Sequence, residues 1–438
     1  MTVSAETDSP PEDPEKPQAR QTRQRRRLGR VLMDTRPLKV VPFRRLWLAT
    51  AVTSIGSQLT AVAVPKQVYD ITNSSGWVGV AGAVALVPLL VFGLWGGAIA
   101  DTVDRRKLLL ITSSGIAVVS LLLWVQAAIG LDSVWVVLVL LGIQQGLFAI
   151  NQPAANASIA RLVPAELLPQ AGALNGTVFS VGAVFGPLLA GALIPFIGLS
   201  TLYLIDAIGL TLTLWAVWRL PPLPPLVGQV RRAGIADILA GFRYLNTQKV
   251  LLASFLMDMI AMIFGMPRAL FPEMAEHTFG DPPGGGIAYG WLFAAIPIGA
   301  AVCGLFSGWL ARAPRHGVVV IIAVAGWGVA IAGFGLSPTL PLAVIFLALA
   351  GAADMVSMVF RGAILQAAAT DEMRGRTQGV FTVVVAGGPR LADTLHGTIG
   401  AAAGTTATVA GGGILVVVFV LIAAAALPAF VRYRAPVG

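Results

Sequence analysis

Charge is scarce in this chain of 438 residues: Asp, Glu, Lys and Arg make up only 12% of it, about half the roughly 25% usual in a soluble globular protein. That shortage excludes a soluble enzyme of ordinary surface chemistry. The 56% hydrophobic content excludes general disorder. Cysteine is almost absent: Cys303 alone excludes an intramolecular disulfide and a cysteine-based zinc site. The three histidines, His277, His316 and His396, are too scattered to form a metal centre. No Gly-x-x-x-x-Gly-Lys-Ser/Thr run is present, so ATP drive from this chain is not expected. No other catalytic motif is present, and the expectation is a non-enzyme that carries no cofactor.

Lysine is rare as well, at 5 residues against 25 arginines, and the net charge is +9. Eleven of the 30 basic residues lie in the first 45 positions. This segment starts acidic and Pro-rich and then turns basic at Arg20, Arg23, Arg25, Arg26, Arg27 and Arg30. It has no apolar core of the kind a signal peptide carries. Residues 1–44 therefore read as a disordered cytoplasmic tail lying on an anionic membrane face. Nucleic acid is the competing partner, but no aromatic residue interleaves the arginines, so none is expected.

What is abundant is apolar sequence. A membrane-spanning helix needs about 20 mostly apolar residues. Twelve such stretches can be marked, near 45–69, 77–99, 108–129, 134–158, 170–195, 200–218, 250–272, 287–311, 317–336, 340–366, 377–402 and 407–430. Outside them, every Lys and Arg falls in the tail, in an even-to-odd loop or at the C-terminus. The opposite loops, near 70–76, 130–133, 196–199, 273–286, 337–339 and 403–406, contain none. This is the positive-inside pattern, so both termini are expected in the cytoplasm. The expected organisation is a six-helix bundle over 45–218, a cytoplasmic linker over 219–249, a second bundle over 250–430 and a cytoplasmic C-terminus over 431–438. The linker opens with the stiff run Leu220-Pro221-Pro222-Leu223-Pro224-Pro225 and continues into an amphipathic segment over 235–244.

The halves look duplicated. Gly97-Ala98-Ile99-Ala100-Asp101-Thr102-Val103-Asp104-Arg105-Arg106 follows the second stretch, and a related segment, Gly308 to Gly317, follows the eighth at an offset of 211 residues. Glu166 after the fourth stretch and Glu372 after the tenth are 206 apart. Two landmarks with similar offsets argue for a tandem repeat.

Twelve helices in two halves and the Gly-x-x-x-Asp-x-x-x-Arg-Arg loop resemble the major facilitator superfamily over about residues 40–430. The resemblance implies an all-α integral membrane protein of the major facilitator fold. It also implies a conformational latch formed by Gly97, Asp101, Arg105 and Arg106. Asp104 stands where the family often has Gly, and Arg312 stands where the second copy usually has an acid. The fifth stretch carries Gly182, Gly186, Pro187 and Gly191, similar to the Gly-x-x-x-Gly-Pro-x-x-Gly-Gly pattern of exporters in the superfamily. Helix packing alone is the other reading of these glycines. A closer likeness, to the enterobactin exporter and multidrug efflux branch, rests on Val62-Ala63-Val64-Pro65, 239–245, Arg268-Ala269-Leu270-Phe271-Pro272 and 294–301.

Eight charges fall inside the stretches: Lys66, Asp206, Asp258, Arg268, Asp354, Arg361, Arg390 and Asp393. Each would cost about 3 kcal/mol facing lipid at mid-bilayer, so they should pair or face water. Lys66 and Arg268 sit near helix ends and could snorkel. Asp206 could serve to bond neighbouring helices. Asp354 and Arg361, seven apart, could form a structural stripe. Asp258 has no basic residue within a turn, and Asp393 lies three residues from His396, close enough to touch. Asp258, Asp393 and His396 are the candidates for proton coupling. Gln58, Gln144, Gln145, Asn151, Gln152, Arg268, Arg361 and Arg390 are the candidates for contact with substrate, with helix–helix bonding the equal alternative for the amides. Asn156 and Asn175 extend the amide set. The expected protein is a monomeric inner-membrane carrier. It would export an amphipathic small molecule such as a siderophore or antibiotic, with the proton gradient as energy source. An importer and a non-transporting membrane sensor are the rival readings.

Overall fold

The computed structural model describes residues 34–224, 243–306, 313–368 and 371–434; within helices, the side chains of residues 94–98, 100–101, 371–383 and 386 lie outside the described set. Among the described residues the long elements are all helices and none is a strand. Ten of these helices are long and apolar enough to cross a bilayer.

One of the ten contains the helix Leu168–Trp218, of 51 residues. At about 1.5 Å per residue it would be more than twice as long as a ~30 Å hydrocarbon core is thick. It breaks at Gly198, whose φ of 73° and ψ of 163° lie in a region open to glycine. Gly182 before the break lies against Ser54, while Thr213 after it hydrogen-bonds Thr53 at 3.4 Å. Both arms therefore return to the same level of the first helix, and the chain reverses at Gly198. Counted as two arms, and with Asp371–Ala403 added, the helices are consistent with twelve crossings.

We label them α1 (Val41–Thr72), α2 (Ser75–Thr102), α3 (Arg105–Ala128), α4 (Val134–Leu162), α5 and α6 (the arms 168–197 and 199–218), α7 (Lys249–Gly265), α8 (Ile287–Leu305), α9 (His316–Gly335), α10 (Leu340–Ala368), α11 (Asp371–Ala403) and α12 (Thr405–Ala426). Local chemistry sets several ends. Asn73, at φ 49°, closes α1, and the Ser74 hydroxyl accepts the Gly76 N–H to open α2. Asp104 caps α3 by accepting the N–H groups of Arg106 and Lys107. Gly404, at φ 85°, turns the chain between α11 and α12. On α3 the apolar residues Ile111, Val118, Leu122, Val125 and Ile129 form an exposed stripe at helical spacing, the signature of a lipid-facing side.

Several boundaries differ from expectation. The 3-10 turn Arg36–Lys39 and the start of α1 occupy residues assigned to the tail; residues 1–33 lie outside the described set. Helix α7 ends at Gly265 rather than near 272. Pro267 lacks an N–H and forces Met266 out of the helical region, to φ −122° and ψ 84°. The chain continues as the short turns Arg268–Leu270 and Phe271–Glu273 and a π-helical turn, Met274–Thr278. Helix α8 stops at Leu305, and residues 307–312, including Gly308 and Arg312 of the second loop copy, lie outside the described residues. So does 225–242, which holds most of the amphipathic linker segment.

The first half is built from α1 against α5 and α6, α2 against α4, and α3 against α4 and α6. The second is built from α8 against α10, α9 against α10 and α12, and α7 against α11 and α12. Two helix crossings join the halves, α2 with α11 and α5 with α8. Each is a glycine pair. A Cβ on Gly191 would fall 2.6 Å from Gly290 Cα, and one on Gly397 would fall 2.6 Å from Gly79 Cα. Gly290 follows Gly79 by 211 residues and Gly397 follows Gly191 by 206. These are the offsets of the loop repeat, so the two crossings exchange under the internal duplication.

Candidate functional site

The second half gathers six charges on helices that are otherwise apolar. Asp258 on α7 forms an ion pair with Arg361 on α10, and both side chains are almost fully buried. The other arm of the same guanidinium reaches Asp354, two turns away on the same face of α10, at 3.6 Å. A cavity lined by Ser254, Phe255, Asp258, Arg361 and Leu365 adjoins the pair. On α11, Arg390 lies 3.8 Å from Asp393. Arg268 lies within electrostatic reach of Asp393, Arg390 and Asp354. Three acids and three arginines thus form one balanced network across α7, the turn Arg268–Leu270, α10 and α11. Pairing removes most of the cost of holding these charges in a membrane. Asp258 appeared unpaired in the sequence because its partner lies on another helix. The signal that could have found the pair was the equal number of acids and arginines in the helices of this half.

His396 does not turn to Asp393. Its Nδ1 lies 2.9 Å from the Met266 carbonyl and its Nε2 3.1 Å from the Phe264 carbonyl. The break at Pro267 leaves carbonyls at the end of α7 without intrahelical donors, and the imidazole bridges two of them. A neutral ring donates to one; a protonated ring donates to both.

A second cluster closes the end of the molecule whose loops lack Lys and Arg. Lys66 does not snorkel: it is 1% exposed, paired with Asp70 one turn on along α1 and, 3.4 Å away, with Glu276 in the π-helical turn of the other half. The Ser75 hydroxyl at the start of α2 donates to Glu273. The Tyr289 hydroxyl on α8 donates to the Val62 carbonyl at 2.8 Å. Glu273 and Glu276 were missed because the sequence placed them in a loop; the Lys66–Asp70 spacing of four was visible.

The amides of the first half separate into two groups. Gln144 is buried and donates to Ser120 at 3.4 Å. Asn151 donates to Thr112 at 2.7 Å and Ser113 at 3.1 Å. These two bond α4 to α3. Gln152 and Asn156 are exposed, and Gln58, Gln145 and Asn175 are half-buried. Lipid cannot satisfy an exposed amide within a span, so the exposed pair requires water.

The glycines of α5 lie in close contact with other helices. A Cβ on Gly182 would fall 2.9 Å from Ser54 Oγ, and Gly186 abuts Gln58 in the same way. Gly191 makes the crossing to α8, and Pro187 is buried within the helix. Of the latch residues, Arg105 donates to the Ala157 carbonyl of α4 at 3.3 Å and Arg106 to the Trp218 carbonyl at the end of α6. The side chains of Gly97 and Asp101 lie outside the described residues.

The family model described as transmembrane secretion effector, a major facilitator family, matches residues 34–434. The chain is 33% identical over 378 residues to an enterobactin exporter, EntS, of Shigella boydii serotype 18, covering 84% of this chain and 88% of that one. An enterobactin exporter of Escherichia coli O81 matches at the same identity and coverage. Among solved structures, the nucleoside transporter NupG superposes with a TM-score of 0.70 at 14% identity, over 90% of this chain and 100% of that one. A bacterial homologue of the human lysosomal transporter Spinster gives 0.67 at 17% identity, over 91% and 98%. Such distant structures establish the fold, and the closer sequences establish the family. The chain belongs to the transmembrane secretion effector family of major facilitators and is a multi-pass membrane transporter, not an enzyme.

Proposed function

We propose that the protein sits in the plasma membrane with both termini in the cytoplasm and exports an amphipathic small molecule of the siderophore class by proton antiport. The observation that carries the export reading is identity of 33% to enterobactin exporters across 84% of the chain. The membrane-embedded charge network supports coupling. Asp258 and Asp393, each held beside an arginine, would exchange a proton for that ion pair as the halves rock. Arg268, Arg361 and Arg390 would meet an anionic or phenolic substrate, and Gln145, Gln152 and Asn156 would bond its polar rim. With the Arg-free end outside, the glycine crossings and the Lys66–Glu276, Ser75–Glu273 and Tyr289–Val62 contacts close the outer side. That closure supports an inward-open state, ready to load substrate from the cytoplasm.

The test is directional. A strain lacking the protein should retain siderophore inside the cell and lose it from the medium, and expression of the chain should reverse both. Unchanged export together with impaired uptake would make the protein an importer.

A further inference from the structure

We propose that Asp206, on α6, is a proton-binding site inside the first half, linked mechanically to the closed end through residues 60–66 of α1. This rests on the proton-antiport reading but places a coupling group outside the second-half network that reading uses.

Asp206 is 1% exposed. Its Oδ2 accepts the hydroxyls of Thr60 on α1 and Ser120 on α3, each at 2.9 Å. Its Oδ1 has no hydrogen-bond partner among the described residues and points at Gly56, where a Cβ would stand 2.7 Å from it. The groups facing it are the hydroxyls of Thr60 and Ser120, with the Gln144 amide of α4 behind Ser120. Tyr203, one turn away on α6, is committed to Gln67 at 2.9 Å. No charged side chain acts on Asp206 from these helices. It therefore differs from Asp258, Asp354 and Asp393, which all have arginine partners.

A buried carboxylate without a cation is costly, and taking up a proton removes that cost. The shell suits both forms. Ser120 receives a hydrogen bond from Gln144, so its own hydrogen is free for the carboxyl. Thr60 is a rotor that donates to the carboxylate or accepts from the acid. Between Asp206 and the Arg-free end lies one polar layer, in which Gln67 and Gln126 exchange two hydrogen bonds at 3.1 and 3.0 Å. Beyond it is a cavity of about 410 Å³ lined by Gln67, Asp70, Asp132 and Ser200, among others. Of the two carboxylates in its lining, Asp70 is paired with Lys66 and Asp132 adds negative charge that favours cations, and the amide pair is the barrier that must part for a proton to reach Asp206.

The same stretch of α1 holds the gate. Thr60 touches Asp206, the Val62 carbonyl accepts from Tyr289, and Lys66 pairs with Glu276 across the halves. Pro65 interrupts the helical hydrogen bonds within this stretch, which lets it bend. Protonation that reverses the Thr60 bond thus acts on the segment that closes the Arg-free end.

The experiment is infrared difference spectroscopy of the full-length protein in liposomes between acid and alkaline pH. The parent should show a carboxylic C=O stretching band that titrates. Asp206→Asn should lose it, and Thr60→Val, which keeps the carboxyl and removes one hydrogen bond, should shift its frequency. A band identical in the parent and Asp206→Asn overturns the proposal. If Asp206→Asn does not fold, an unshifted band in Thr60→Val overturns it. A band that responds to sodium at fixed pH also overturns it, in favour of a sodium site. Uptake of labelled enterobactin driven by a pH gradient, measured in parent liposomes, tests the antiport reading separately. Drive without an Asp206 band sinks this proposal alone. An Asp206 band without drive leaves the site standing and sinks proton-coupled transport.

Discussion

Asp258 and Arg361 are 103 residues apart in the chain and buried against one another in the fold. Removing one member of such a pair strands the other, at a typical cost of about 3–5 kcal/mol. Arg361→Gln should therefore lower the melting temperature of the detergent-solubilised protein markedly, and Asp258→Asn should do the same. The double variant Asp258→Asn/Arg361→Gln should recover much of the loss, because neither member of the close pair is left charged without the other, and Asp354 keeps Arg268 within reach. Additive losses would mean that the two side chains do not depend on each other. Sequence reasoning found every member of this network by the expense of charge in a span, but not its pairings, which are set by which faces of α7, α10 and α11 meet. His396 shows the same limit. Its spacing of three from Asp393 was visible, whereas the carbonyls it bridges exist only because α7 breaks at Pro267.

At the scale of the element, glycines decide how closely helices approach. The α5–α8 crossing tolerates no side chain at Gly191 or Gly290, where an added Cβ would meet backbone at 2.6 and 2.8 Å. Gly290→Leu should insert normally, since leucine suits a spanning helix, but should hold the Arg-free ends of α5 and α8 apart. Spin labels on the two helices should report a longer distance than in the parent, and transport should be lost. Parent-like distances would show that the crossing is not set by these glycines. The sequence showed the Gly182, Gly186, Pro187 and Gly191 pattern but left its purpose open between export and packing. In the structure two of the glycines lie against α1 and the third crosses between the halves, contacts that both readings share. The loop after α2 yields a separate expectation. Asp101→Asn should cripple transport at equal expression if the carboxylate belongs to a contact made in one conformer only. Normal efflux would remove Asp101 from any latch.

The whole molecule was the most legible scale. Hydropathy gave the spans, the absence of Lys and Arg from alternate loops gave a sidedness, and two offsets gave the repeat that the glycine crossings share. The tail boundary and the short α7 were less legible, because they depend on single turns, whereas the reversal at Gly198 falls in the loop marked near 196–199. Sidedness is testable without transport: in a Cys303→Ala background, a cysteine near Gly284 should react with an impermeant reagent added outside, and one near Gly228 only after permeabilisation. Reversed labelling would invert the assigned direction of export.

The central claim is proton-driven export, and everted membrane vesicles with an acid lumen test it directly. Labelled enterobactin added outside should accumulate in the lumen, and a protonophore should abolish the accumulation. Asp393→Asn should lose net accumulation while still exchanging labelled for unlabelled substrate, since exchange cycles without a change of protonation. Accumulation that ignores the pH gradient, or Asp258→Asn and Asp393→Asn variants that both pump at the parent rate, would contradict the account.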